Sequence, residues 1–240
     1  MPSAVSWKNI RRRINMKKIK FYASIWALDP REIMDYVRAF EETKTDGLHF
    51  DIMDGHYVPN LAMGTDEAKL WHSLTDIPLD VHCMAYNPER ILEYYELREG
   101  DRVSFHPETC AQPYRLLQNL KKKGLKAGYA LSPSISLEYV REALPVLDFV
   151  NFLSINPGFF GQPMVPNAIE KLERLVEICS HADHKIEITV DGSIIPEHGK
   201  LYVRAGADSM VAGPSTLEKG GPSKYAENMI NYCREVGIEH

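Results

Sequence analysis

From Ile19 onward the chain repeats one unit eight times: a short β-rich run followed by a run with apolar residues at helical spacing. "KIKFYASIWA" leads to "PREIMDYVRAFEET", where Pro30 suits a first helical position. "GLHFDIMD" precedes "TDEAKLWHSL", and "PLDVHCMA" precedes "NPERILEYYELRE". "DRVSFHPE" leads to "QPYRLLQNLKKKG", a helix with lysines in its last turn and a glycine stop. The cycle continues through "KAGYALS", "DFVNFLSINPG", "IEITVDGS" and "ADSMVAGPS", each with its own helical run. Eight such units within 240 residues, uninterrupted by a Pro/Gly/Ser-rich linker, predict a single-domain (β/α)8 TIM barrel over residues 17–240. A doubly wound open sheet usually has fewer strands, and its nucleotide fingerprint is not found.

Composition narrows the function classes. A net charge of −5 argues against a nucleic-acid surface, though it permits a local anion site. The 4 cysteines, Cys83, Cys110, Cys179 and Cys233, form no C-x-x-C pair and read as free thiols of a reducing, cytoplasmic compartment. No apolar run approaches the length of a membrane span. Residues 1–16 read as an N-terminal extension, with Met16 opening a natural-looking start. Their basic triplet lacks the apolar segment of a secretory signal. A basic arm contacting a partner is the less favoured reading.

In a barrel of this kind, chemistry gathers at the C-terminal ends of the strands. Residues two apart on a strand share a face, so His49 and Asp51 point together. The third strand offers His82, the fourth His106 and the seventh Asp191. Two imidazoles and two carboxylates, His49, Asp51, His82 and Asp191, suit one divalent ion such as Zn²⁺, Fe²⁺, Mn²⁺ or Co²⁺. The alternative is a hydrogen-bonded polar core without metal. Small residues close the late strands in "NPGFFG", "DGS" and "AGPS". Such turns let backbone N–H groups approach an anion, and loops seven and eight are the usual phosphate seat of these barrels. A phosphorylated small molecule is the substrate class this pattern favours.

Taken together, "ASIWALD", "HFDIMDGHYVPN", "DVHCM", "FHPET", "SINPGFFGQPMVP", "VDGS" and "GADSMVAGPS" resemble, in order, the ribulose-phosphate 3-epimerase family, including its allulose-6-phosphate 3-epimerase branch. The resemblance runs from Lys17 to the C-terminal helical run. It implies that His49, Asp51, His82 and Asp191 bind the metal. It also implies that Asp51 and Asp191 are the acid–base pair on opposite faces of carbon 3, with the ion stabilising an enediolate as a Lewis acid. Ser24, His82 and His106 are then substrate-side residues, and Met53 and Met84 form a soft apolar wall. Gly158, Gly161, Gly192, Ser193, Gly213 and Ser215 correspond to the phosphate end. A homo-oligomer is expected by the same analogy.

The chain departs from the pattern at several places. Ala27 stands where many relatives carry serine, Leu153 replaces a methionine, and Phe160 occupies a loop position often held by glycine. Ser193 replaces the second glycine of "DGG", as in the allulose-6-phosphate branch, and keeps its backbone N–H. Pro214 has no N–H to offer a phosphate. These changes bear on which sugar is bound, pentulose or hexulose phosphate, more than on the reaction. A decarboxylase of the phosphate-binding barrels would need the lysine of D-x-K-x-x-D, which "DIMDG" lacks. A non-catalytic sugar-phosphate binder is disfavoured by the intact acid pair.

Overall fold

A computed structural model describes residues 16–240; the expected extension, apart from Met16, lies outside the described residues. The barrel strands are β1 (Lys20–Ser24), β2 (Gly47–Asp54), β3 (Leu79–Met84), β4 (Arg102–Phe105), β5 (Lys126–Leu131), β6 (Phe149–Leu153), β7 (Glu187–Asp191) and β8 (Ser209–Ala212). Each is parallel to the next, and β1 pairs with both β2 and β8, which closes the sheet on itself. The helices are α1 (Ile33–Glu42), α2 (Thr65–Leu74), α3 (Pro88–Ile91), α4 (Pro113–Lys122), α5 (Glu138–Ala143), α6 (Ala168–Cys179), α7 (Pro196–Ala205) and α8 (Tyr225–Val236). The chain is therefore a single (β/α)8 barrel.

The helices cover the sheet with one apolar stripe each. Leu116, Leu117 and Leu120 of α4, Leu172 and Leu175 of α6, and Tyr225, Met229 and Tyr232 of α8 are buried at helical spacing. Burying such a side chain is worth roughly 1.5–3 kcal/mol, so these stripes supply most of what holds the helical ring to the sheet. Two details differ from the sequence reading. The third helical run contracts to α3 and a 3-10 turn at Leu92–Tyr94, because its buried residues stop at Leu92 and Tyr94 faces solvent. After β2, Leu61–Ala62 returns antiparallel against Met53 and Asp54. The Asp54 carboxylate accepts from the N–H groups of His56, Tyr57 and Tyr86, tying this hairpin to the loop after β3.

The barrel's interior is polar and ionic. Arg102 is buried between the rings of Tyr22 and Phe149, its guanidinium carbon 4.1 and 3.8 Å from their centroids. It donates to Asp80, Glu187 and Thr189 at 2.7, 2.7 and 2.6 Å. Gly128 makes room for this layer, since a Cβ there would lie 2.6 Å from the Phe149 carbonyl oxygen. A charged plug of this kind is costly unless fully paired, and here the guanidinium has partners on several strands.

Candidate active site

The pairing register carries the sequence pattern into space. Asp51 on β2 lies beside His82 on β3, and His49 lies beside Asp80. Because these positions share the inward face, both imidazoles and the Asp51 carboxylate meet on the barrel axis, with Asp191 arriving from the end of β7. His49 Nε2 is 3.3 Å from Asp51 Oδ1 and 3.5 Å from Asp191 Oδ2. His82 Nδ1 is 3.2 Å from Asp51 Oδ1 and 3.4 Å from Asp191 Oδ2. Each carboxylate thus touches both imidazoles.

Electrostatics explain what the cluster asks for. Burial disfavours charge on His49, yet Asp51 and Asp191 outweigh it and raise its pKa well above the ordinary value; His82 is raised in the same way. Burial pushes the two aspartates up, and the facing imidazoles outweigh it and hold both low. The two carboxylates, Asp51 buried and Asp191 partly exposed, therefore favour positive charge at this point, whether protons on the rings or a metal ion. His49 Nε2 is buried there without a hydrogen-bond partner among the described residues. Ligand atoms of His49, His82 and Asp191 lie within 4.8 Å of one another, a mixed N/O donor set that fits a divalent metal ion. Asp51 joins them through its contacts to both rings.

A cavity opens above this cluster. Ser24, Met53, Met84, Gly158, Gly161, Gly192, Ser193, Gly213 and Ser215 all line it, as do the departing residues Leu153, Phe160 and Pro214. Met53 and Met84 pack with Val58 into a small apolar cluster of their own, against Trp26 and Tyr57. Gly192 and Ser193 both have positive φ, +94° and +48°, which turns the chain sharply beyond Asp191. His106 is placed differently. It is fully buried behind His82, its Nε2 3.0 Å from His82 Nε2, and is not among the residues lining the cavity. Burial lowers its pKa to about 4 despite the nearby Glu108, so the ring is neutral near pH 7.

The sequence reading missed Asp80, Arg102 and the group Ser132, Tyr57 and Glu108. Asp80 was detectable, because it precedes His82 by two in "DVH" and so shares its face. Ser132 and Tyr57 carried no local signal.

The family described as Ribulose-phosphate 3 epimerase matches residues 20–217. The ribulose-phosphate 3-epimerase of Bacillus subtilis is 33% identical over 207 residues, covering 86% of this chain and 95% of that protein. That of Synechocystis sp. is 35% identical over 203 residues, covering 84% and 88%, and that of Methanocaldococcus jannaschii is 33% identical over 221 residues, covering 92% of each. Solved structures include a mutant tryptophan synthase α-subunit from Pyrococcus furiosus, with a TM-score of 0.62 at 14% identity, covering 93% of this chain and 100% of that one. A thiamine phosphate pyrophosphorylase from the same organism has a TM-score of 0.59 at 20% identity, covering 92% and 98%, and these two likenesses concern the barrel alone. By the extent of the family match and the identity shared with its curated members, this chain belongs to the ribulose-phosphate 3-epimerase family.

Proposed function

We propose that this protein is an isomerase that inverts carbon 3 of a ketose phosphate, interconverting D-ribulose 5-phosphate and D-xylulose 5-phosphate. The observation that carries the reading is the contact of two carboxylates, Asp51 and Asp191, with one pair of buried imidazoles beneath a cavity. In this mechanism one aspartate takes the proton from carbon 3, and the C–H bonding pair enters a planar enediolate. The other aspartic acid returns a proton from the opposite face. Each turnover leaves the two acids with exchanged protonation, ready for the reverse direction or for resetting by solvent. His49, His82, Asp51 and Asp191 would hold a divalent ion, which when bound would supply Lewis-acid stabilisation of the negative charge that develops on the substrate. Met53 and Met84 keep the reacting carbons in apolar surroundings, and Gly192, Ser193, Gly213 and Ser215 supply the phosphate seat, with Pro214 contributing shape but no N–H donor.

Ser193 supports a second reading, a hexulose 6-phosphate of the allulose/fructose type, since serine at this turn is shared with that branch. A panel of pentulose and hexulose phosphates in deuterated water, read for label at carbon 3, tests class and sugar together. Label in ribulose 5-phosphate is the expected result; label in no sugar overturns the epimerase reading. Asp191→Asn is expected to lower exchange by at least about 10³-fold with the fold intact, within the range of general acid–base catalysis. Chelation is expected to abolish activity and metal add-back to restore it; full activity in verified metal-free protein would remove the Lewis-acid role. The cytoplasmic reading is supported by the free thiols of Cys83, Cys110, Cys179 and Cys233. Among the described residues no helix is long and apolar enough to cross a membrane. The homo-oligomer expectation is tested by sedimentation.

A further inference from the structure

The two buried imidazoles face the site through different ring atoms: His49 through Nε2 and His82 through Nδ1. Which nitrogen keeps a free lone pair depends on what the other one bonds. On His49 the other nitrogen, Nδ1, is 2.7 Å from Asp80 Oδ2. An ionised carboxylate can only accept, so Nδ1 carries the hydrogen. Asp80 is itself 1% exposed, and its second oxygen accepts from Arg102 Nε at 2.7 Å. Arg102 is held in turn by Glu187 and Thr189, so the carboxylate cannot rotate away without unpairing a buried guanidinium.

On His82 the remaining nitrogen, Nε2, meets His106 Nε2 at 3.0 Å, and two ring nitrogens bond only if one carries a hydrogen and the other does not. The direction is set at the far end of the chain. Tyr57 donates its single hydroxyl hydrogen to Glu108 Oε1 at 2.7 Å, so it accepts from Ser132 Oγ at 2.9 Å. Ser132 has then spent its own hydrogen and accepts from His106 Nδ1 at 3.2 Å. His106 Nε2 is left as an acceptor, and His82 Nε2 must donate to it. The segment carrying Ser132 is fixed by Lys171 of α6, which donates to the carbonyls of Ser132, Pro133 and Ile135.

We propose that Asp80 with Arg102, and the chain His106–Ser132–Tyr57–Glu108, are positioning groups that leave His49 Nε2 and His82 Nδ1 as lone-pair donors to one divalent cation. The inference rests on the metal reading above and assigns work to residues that touch neither sugar nor ion in it. Such outer partners typically change metal affinity by about 10–100-fold when altered.

The test is Zn²⁺ affinity, measured by chelator competition on wild type, Asp80→Asn, His106→Phe and His106→Gln, each checked for folding by circular dichroism. Asp80→Asn keeps the shape but loses the charge, and is expected to weaken Zn²⁺ about 10-fold or more. His106→Phe keeps ring volume but removes the acceptor, and is expected to weaken it about 10-fold, whereas His106→Gln, which retains an acceptor oxygen, is expected to stay within about threefold of wild type. If Asp80→Asn does not fold, the two His106 variants decide the question. Equal affinity in wild type and all folded variants overturns the inference while leaving the metal reading standing. Absence of Zn²⁺ binding by the wild type overturns both.

Discussion

Asp191 and Gly192 are neighbours with opposite physical demands. Asp191 ends β7 as a partly buried anion facing two imidazoles, and the chain must turn away at once so that the next backbone units border the cavity. Gly192 makes that turn at a φ of +94°, and a Cβ there would stand 2.5 Å from Ile155 Cγ1. Both the left-handed backbone and the contact exclude any larger residue. Gly192→Ala is expected to lower stability by about 2 kcal/mol or more, read from a denaturant melt, and to displace the phosphate seat with it. Neighbouring Ser193 shares the left-handed conformation at a φ of +48°, and its hydroxyl lies 2.9 Å from His198 Nδ1, a local bond that offsets some of the strain. The glycine was visible in "DGS" as a turn signal; Ile155, the residue that makes it obligatory, was not.

At the level of elements, the segment between β6 and α6 is anchored on two sides of the cavity mouth. Asn60 of the β2 hairpin donates to the Gly158 carbonyl at 2.9 Å. From the other side Phe160 packs edge-on against Trp26, their centroids 5.5 Å apart and their planes at 69°. Trp26 follows β1 and Phe160 follows β6, so the pair joins two loops that both line the cavity. An aromatic pair of this geometry is worth about 0.5–1.5 kcal/mol beyond its buried area. Phe160→Gly is accordingly expected to raise KM for the sugar phosphate by roughly two- to tenfold, because the loop is held over the ligand less of the time. An unchanged KM would mean that the Asn60 hydrogen bond suffices. The sequence marked Phe160 as bulky; its partner is 134 positions away and only the closed barrel brings them together.

For the whole molecule, the balance of buried charge sets how stability varies with pH. Inside the barrel Asp80 and Glu187 both pair with Arg102, and Lys20 supplies Glu187 with a second cation. Glu218, in the segment between β8 and α8, has no such partner: it is 4% exposed and neither carboxyl oxygen is hydrogen-bonded among the described residues. Burial raises its pKa well above the ordinary value of 4.5. A carboxyl whose folded pKa is raised leaves stability intact below the unfolded pKa, and stability is lost as pH rises through the folded one. Glu218→Gln, which cannot ionise, is therefore expected to melt close to wild type at pH 4 and at a higher temperature than wild type at pH 8. Equal melting temperatures at both pH values would show that Glu218 finds a compensating cation in solution.

The sequence alone determined the architecture and most of the cavity lining. Helical spacing and strand alternation are properties of local backbone geometry, and the strand faces packed against the helices admit little but apolar residues. Two-residue periodicity put His49 with Asp51 on one face, and the same rule applied to "DVH" would have added Asp80. Tertiary structure decided the rest. It withdrew His106 from the cavity to the back of His82, matched Arg102 to carboxylates on two other strands, and strung Ser132 and Tyr57 between an imidazole and Glu108. The physical reason is the range of the interactions: periodicity acts within one strand, whereas a buried hydrogen bond needs a partner that arrives only when eight separate strands have closed into register.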